Sequence, residues 1–157
     1  MPIALSNTTV NRSVLIAGFL IAAFNPCIAS AALGEPEASV MADVTMMRGT
    51  LTVVDSANYR SHEIKTSSGI VVHEFTGVDG KVFAIVWRGP AMPNLRQALG
   101  QYFDSYVAAA KGNRSGLQFG IHNSDLVVHS AGHMRAFSGI AYLPQAIPSG
   151  VSIGELQ

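Results

Sequence analysis

The sequence predicts an α+β fold: an antiparallel sheet of about five or six strands, one long amphipathic helix packed on a face, and a shorter N-terminal helix. Two observations carry this. Three strand-like segments between Tyr59 and Arg88 are joined by links too short for anything but antiparallel neighbours. A helical apolar stripe from Leu95 to Ala110 then lies between these and a second group of strand-like segments.

The chain of 157 residues has the length of one domain, and its ten Lys/Arg balance ten Asp/Glu. No Lys/Arg run supports nucleic-acid binding. The single cysteine, Cys27, lies in an N-terminal segment with the pattern of a secretory leader. There Arg12 precedes the apolar run Val14 to Phe24, Asn25-Pro26 breaks it, and Ala29-Ser30-Ala31 supplies small residues. Residues 1–31 are therefore expected to be a signal peptide cleaved after Ala31, and 32–157 the domain, with 144–157 a mostly irregular tail. The apolar run is short for a bilayer span, so no membrane span is expected after cleavage. Acylation of Cys27 is the other alternative, but Phe24-Asn25-Pro26 lacks the small residues that lipoprotein processing uses.

Within the domain, a helix is expected from Glu37 or Ser39 to Met47, with Val40, Val44 and Met47 on one face. Thr50–Asp55 is a short strand candidate. Tyr59–Thr66, Ile70–Thr76 and Lys81–Arg88 follow, separated by Ser67-Ser68-Gly69 and Gly77-Val78-Asp79-Gly80. Lys81–Arg88 is apolar at both parities, which predicts a central strand covered on both faces. Pro93 suits the first turn of the long helix, whose stripe comprises Leu95, Leu99, Tyr102, Phe103, Tyr106 and Val107. Leu117–Ile121, Asp125–Ser130 and His133–Leu143 complete the strand candidates, with Ala131-Gly132 as the turn between the last two.

Two long segments resemble the bacterial domain-of-unknown-function family 2844. They are "YRSHEIKTSSGIVVHEFTGVDGKVFAIVWRGPAMPNLRQALGQYF" and "LVVHSAGHMRAFSGIAYLP". The sequence departs from the family's usual pattern at Ser61, where valine is expected, and at His73, where arginine is expected. The resemblance implies an exported proteobacterial protein and supplies no activity, cofactor or catalytic residue.

The candidate chemistry sits in two places. His62-Glu63 and His73-Glu74 flank the Ser67-Ser68-Gly69 turn, and adjacent residues of a strand face opposite ways. A three-residue loop sets His62 opposite Glu74 and Glu63 opposite His73, giving one His–carboxylate pair per face. A two-residue loop opposes Glu63 to Glu74, and a four-residue loop opposes His62 to His73. The first register is electrostatically the least troubled and is favoured, with each pair a partly exposed contact rather than a metal centre. His133 and Arg135, taken as sharing a strand face, are the candidate anion-binding pair, against a simple salt bridge to Glu63, Glu74 or another acid across the sheet. His122 and His129 are expected to pack or face solvent. No G-x-S-x-G elbow, H-E-x-x-H motif or phosphate-binding glycine loop occurs.

These residues point to a periplasmic or secreted protein without cofactor or metal. It is expected to bind an envelope protein or a small ligand on the sheet face that the long helix leaves open. The alternative is a small periplasmic hydrolase using the hairpin's His and Glu, with Arg135 as anion stabiliser. The weight lies against an enzyme.

Overall fold

The computed structural model describes residues 33–112 and 118–157; the expected signal peptide lies outside these. A helix, α1 (Val40–Met47), follows a 3-10 turn at Glu37–Ser39. Four strands come next: β1 (Gly49–Asp55), β2 (Tyr59–Thr66), β3 (Val71–Gly77) and β4 (Val82–Gly89). Helices α2 (Leu95–Leu99) and α3 (Phe103–Gly112) lead to β5 (Gln118–His122), β6 (Val127–His133) and β7 (Ala136–Tyr142). All seven strands form one sheet of order β1-β2-β3-β4-β7-β6-β5, antiparallel at every neighbour.

The sheet thus has seven strands rather than five or six. β1 and β5, the two shortest or least regular candidates in the sequence, both pair, because a neighbouring strand supplies the hydrogen bonds that weak local propensity does not. β4 is the central strand, and Val82, Phe83, Ala84, Ile85 and Trp87 are all buried. That matches its apolar residues at both parities.

The long helix is not continuous. α2 ends at Gly100, whose φ of 48° and ψ of −121° break the helical path, and a 3-10 turn at Gly100–Tyr102 precedes α3. Glycine has no Cβ to resist that conformation. The α2 N-cap is Asn94, whose side chain accepts from Gln97 N. Pro93 lies one residue before that cap, outside the first turn. Leu95, Ala98 and Leu99 are buried, whereas Phe103 is only half-buried. α1 shares the covering role: Val40 is buried, and Val44 and Met47 pack on the same cluster as Leu99, Ile64 and Trp87.

The β6–β7 turn also differs from expectation. It is Met134-Arg135, with Arg135 at φ 65°, and not Ala131-Gly132, which are strand residues. Gly132 lacks a side chain for a packing reason: a Cβ there would meet the Phe137 ring and stand 3.0 Å from the Ala136 carbonyl oxygen.

The second face carries a smaller cluster, Phe75, Phe83, Ala84 and Leu156, with Ile147, Val151 and Ile153 packed against it. The tail after Leu143 contributes these last residues through 3-10 turns at Pro144–Ala146 and Ile153–Leu156. It covers one end of this face and leaves the rest open.

Candidate functional site

The hairpin register decides where the two His-Glu doublets go. Ser67-Ser68-Gly69 is a three-residue loop closed by Gly69 at φ 84°, a conformation that favours glycine. His62 lies opposite Glu74, and Glu63 opposite His73. The pleat sends the first pair to the helix-covered face and the second to the open face.

On the covered face the facing residues do not bond to each other, and they are not partly exposed. His62 and Glu74 are both buried. His62 Nε2 stands 3.3 Å from Glu37 Oε1, which Arg60 also holds at 2.8 Å. Burial pulls the His62 pKa down, with Glu37 opposing. Glu74 turns to Asp43 of α1. Burial first, then the Asp43 charge and a hydrogen bond to it, push the Glu74 pKa up to about 9. Burial beside Asp43 thus favours a proton held on this carboxyl pair at pH 7. Gln97 of α2 donates to Asp43 Oδ1. Asp43, Glu74 and Gln97 tie α1, α2 and β3 together beneath the apolar layer. The expected His62–Glu74 pair gives way because α1 and the turn before it bring two further carboxylates over the hairpin.

On the open face, His73 Nε2 stands 3.4 Å from Glu63 Oε2, and Lys65 Nζ stands 2.8 Å from Glu63 Oε1. The Lys65 hydrogen bond holds the Glu63 carboxylate below its usual range. Burial lowers the His73 pKa against the pull of Glu63, and the Arg88 charge acts in the same lowering direction. Beside His73 runs a trough of about 960 Å³. Phe75, Val86 and Ile140 give it an apolar floor, and Tyr59 and Leu156 line its tail end. Arg88, His129 and Ser138 bring polar groups to the other end. Arg88 is exposed on the central strand, and among the described residues no carboxylate stands within ion-pair distance of it.

His133 and Arg135 border a neighbouring hollow of about 820 Å³ that shares Arg88, Ala131 and Ser138 with the trough. They do not share a strand face, because Arg135 belongs to the turn. Neither joins an ion pair among the described residues, so the expected salt bridge to Glu63 or Glu74 does not form there. His122 and His129, on neighbouring strands, meet edge to face with ring centroids 4.4 Å apart.

The model of a family described as "Protein of unknown function (DUF2844)" matches residues 29–156. The chain belongs to this family. Comparison with curated proteins and with solved structures returns no match. Of its two His-Glu doublets, the hairpin of this DUF2844 member contributes His73 and Glu63 to the open face. Arg88, Ser138 and His129 join them from strands β4, β7 and β6. Arg88 is not among the candidate residues named from the sequence, where it stands only as the end of a strand. Its parity with Val86, two residues earlier on a central strand, was the available signal. Asp43 and Gln97 carried no such signal, since α1 and α2 meet only in the tertiary fold. Among the described residues no helix is long and apolar enough to cross a membrane.

Proposed function

We propose that this DUF2844 protein is an exported cell-envelope binding module, not an enzyme, that holds a small anionic ligand with an apolar body in the open-face trough. The observation that carries this reading is Arg88. It is an exposed guanidinium with no carboxylate within ion-pair distance among the described residues, at the head of a trough floored by Phe75, Val86 and Ile140. An apolar concavity with a few placed polar groups is the usual form of a small-molecule site. Guanidinium adds a planar donor fork for carboxylate, sulfonate or phosphate. Hydrolysis by the hairpin has less support. Its four groups are divided between two faces, and Arg135 sits apart in the turn.

Isothermal titration with 8-anilinonaphthalene-1-sulfonate, an aromatic sulfonate of the proposed class, tests the site. The expected result is one binding site per chain, weakened about tenfold or more by Arg88→Ala, since a hydrogen bond to a charged group contributes about 1.5–3 kcal/mol. Equal affinity in Arg88→Ala would remove the arginine from the site and the reading with it. Export is tested separately by intact mass. Protein recovered from a bacterial periplasm is expected to begin at Ala32, and a chain retaining residues 1–31 in the membrane fraction would contradict that.

A further inference from the structure

Among the described residues, the outer edge of the sheet at β1 has none of the features that keep a strand edge from pairing. β1 is terminal in the sheet, and its register with β2 runs from Gly49 to Asp55 without a bulge. Between Arg48 and Asp55 the strand reads Gly-Thr-Leu-Thr-Val-Val, with no charge and no proline. Val53 and Val54, on opposite faces, are 46% and 56% exposed. Edge strands of monomeric proteins are commonly blunted by lysine, proline, a bulge or a covering loop. Here a flat row of backbone donors and acceptors is flanked by exposed valines instead.

We propose that β1 pairs antiparallel with β1 of a second copy of this chain, about a two-fold axis through Thr52. Side chains that lie opposite each other in an antiparallel pair share a face, so a two-fold register must centre on a residue, and Thr52 is the centre that engages the whole strand. This register sets Val53 against Leu51 of the second copy on the helix-covered side, and Val54 against Thr50 on the open side. Both exposed valines are thereby covered by β-strand neighbours of a favourable kind. The charges also match. Gly49 falls opposite Asp55, so Arg48, exposed at the start of β1, comes beside the Asp55 carboxylate of the second copy, which also accepts from Arg60 of its own chain, and the same contact repeats at the other end. The symmetric closure leaves no further β1 edge open, so association through β1 stops at two. Val54 and Ser56 border the trough, so the two troughs lie on the same side of one continuous sheet and adjoin at the new seam.

The test uses the chain as recovered after expression, carrying Cys27→Ser so that a retained leader brings no thiol. Sedimentation at tens of micromolar is expected to give a dimer. Val53→Lys, a charge placed on the edge, is expected to weaken it by about tenfold or more while leaving the circular dichroism unchanged. Thr52→Cys is expected to form an intermolecular disulfide under mild oxidation, because the two residues at position 52 lie directly opposite. Val53→Cys is expected to crosslink far less, since its counterpart is displaced along the strand. A monomer throughout the concentration range, or a dimer that Val53→Lys leaves intact, overturns the proposal. Crosslinking at position 53 equal to that at 52 overturns the register.

Discussion

Trp87→Ala is expected to destabilise the protein by about 3–5 kcal/mol, the loss usual for removing a large aromatic side chain from a core. Trp87 lies on the central strand β4, on the helix-covered side, and is among the largest fully buried side chains. Its partner across the β4–β7 ladder is Gly139, and the indole lies against that glycine, so β7 can pass directly beneath the ring. A Cβ at position 139 would overlap the ring and stand 2.6 Å from the His129 carbonyl oxygen. The ring could turn aside, but the backbone oxygen could not without moving β6. Gly139→Ala is therefore expected to cost about 1–3 kcal/mol by overpacking. The indole Nε1 has no hydrogen-bond partner among the described residues. Trp87→Phe removes that buried donor with part of the ring, and is expected to cost much less than Trp87→Ala. Urea midpoints of the three variants decide the matter. A Trp87→Ala midpoint equal to that of the unmodified protein would mean that the indole does not support this core.

Stability is expected to fall as pH rises from 7 to 9, and Glu74→Gln is expected to abolish the fall. The Glu74 pKa is raised from an ordinary value of 4.5 to about 9, so the folded state keeps a proton that the unfolded state has lost. A group of this kind contributes its full stability below the unfolded value and loses it as pH climbs toward the folded one. The slope for one proton is about 1.4 kcal/mol per pH unit at most. His62 and His73 act oppositely, because burial lowers both below 6.5; their contribution is lost as pH falls beneath that value. Above pH 7 they are largely neutral in both states, which leaves Glu74, with the Asp43 it faces, as the described site whose shift acts in this window. Glutamine cannot ionise, yet its amide can donate to Asp43 in place of the carboxylic proton. Thermal midpoints at pH 7, 8 and 9 for the two proteins form the test. Parallel declines in both would show that Glu74 does not hold the extra proton.

Much of the fold follows from local pattern. The composition of Ser67-Ser68-Gly69 suits a three-residue loop, and with that loop the opposition of His62 to Glu74 and of Glu63 to His73 follows by counting. The apolar residues at both parities of β4 identify the centre of the sheet before any partner is known. Alternation alone also separates the two histidines of the hairpin, because a strand repeats every second residue.

What alternation could not supply is the partner of each buried group, because such partners come from residues distant in the chain. Asp43 and Gln97 reach one another only because the fold brings α1 and α2 together on the covered face of the sheet. That packing turns Glu74 from half of a hairpin pair into a proton-holding acid. Glycine was ambiguous for the same reason. At Gly69 it serves a turn that its neighbours announce, whereas at Gly132 and Gly139 it makes room for Phe137 and Trp87, which approach from the adjacent strand. The tail shows the limit most plainly. Its prolines and glycines forbid regular structure, but only the open apolar cluster at Phe75, Phe83 and Ala84 gives Leu156 a place to bury. The sequence determined the strands of the central hairpin and which of their side chains share a face, since both are local periodicities. The tertiary structure alone decided which groups are desolvated together, since burial depends on what other elements lay across them.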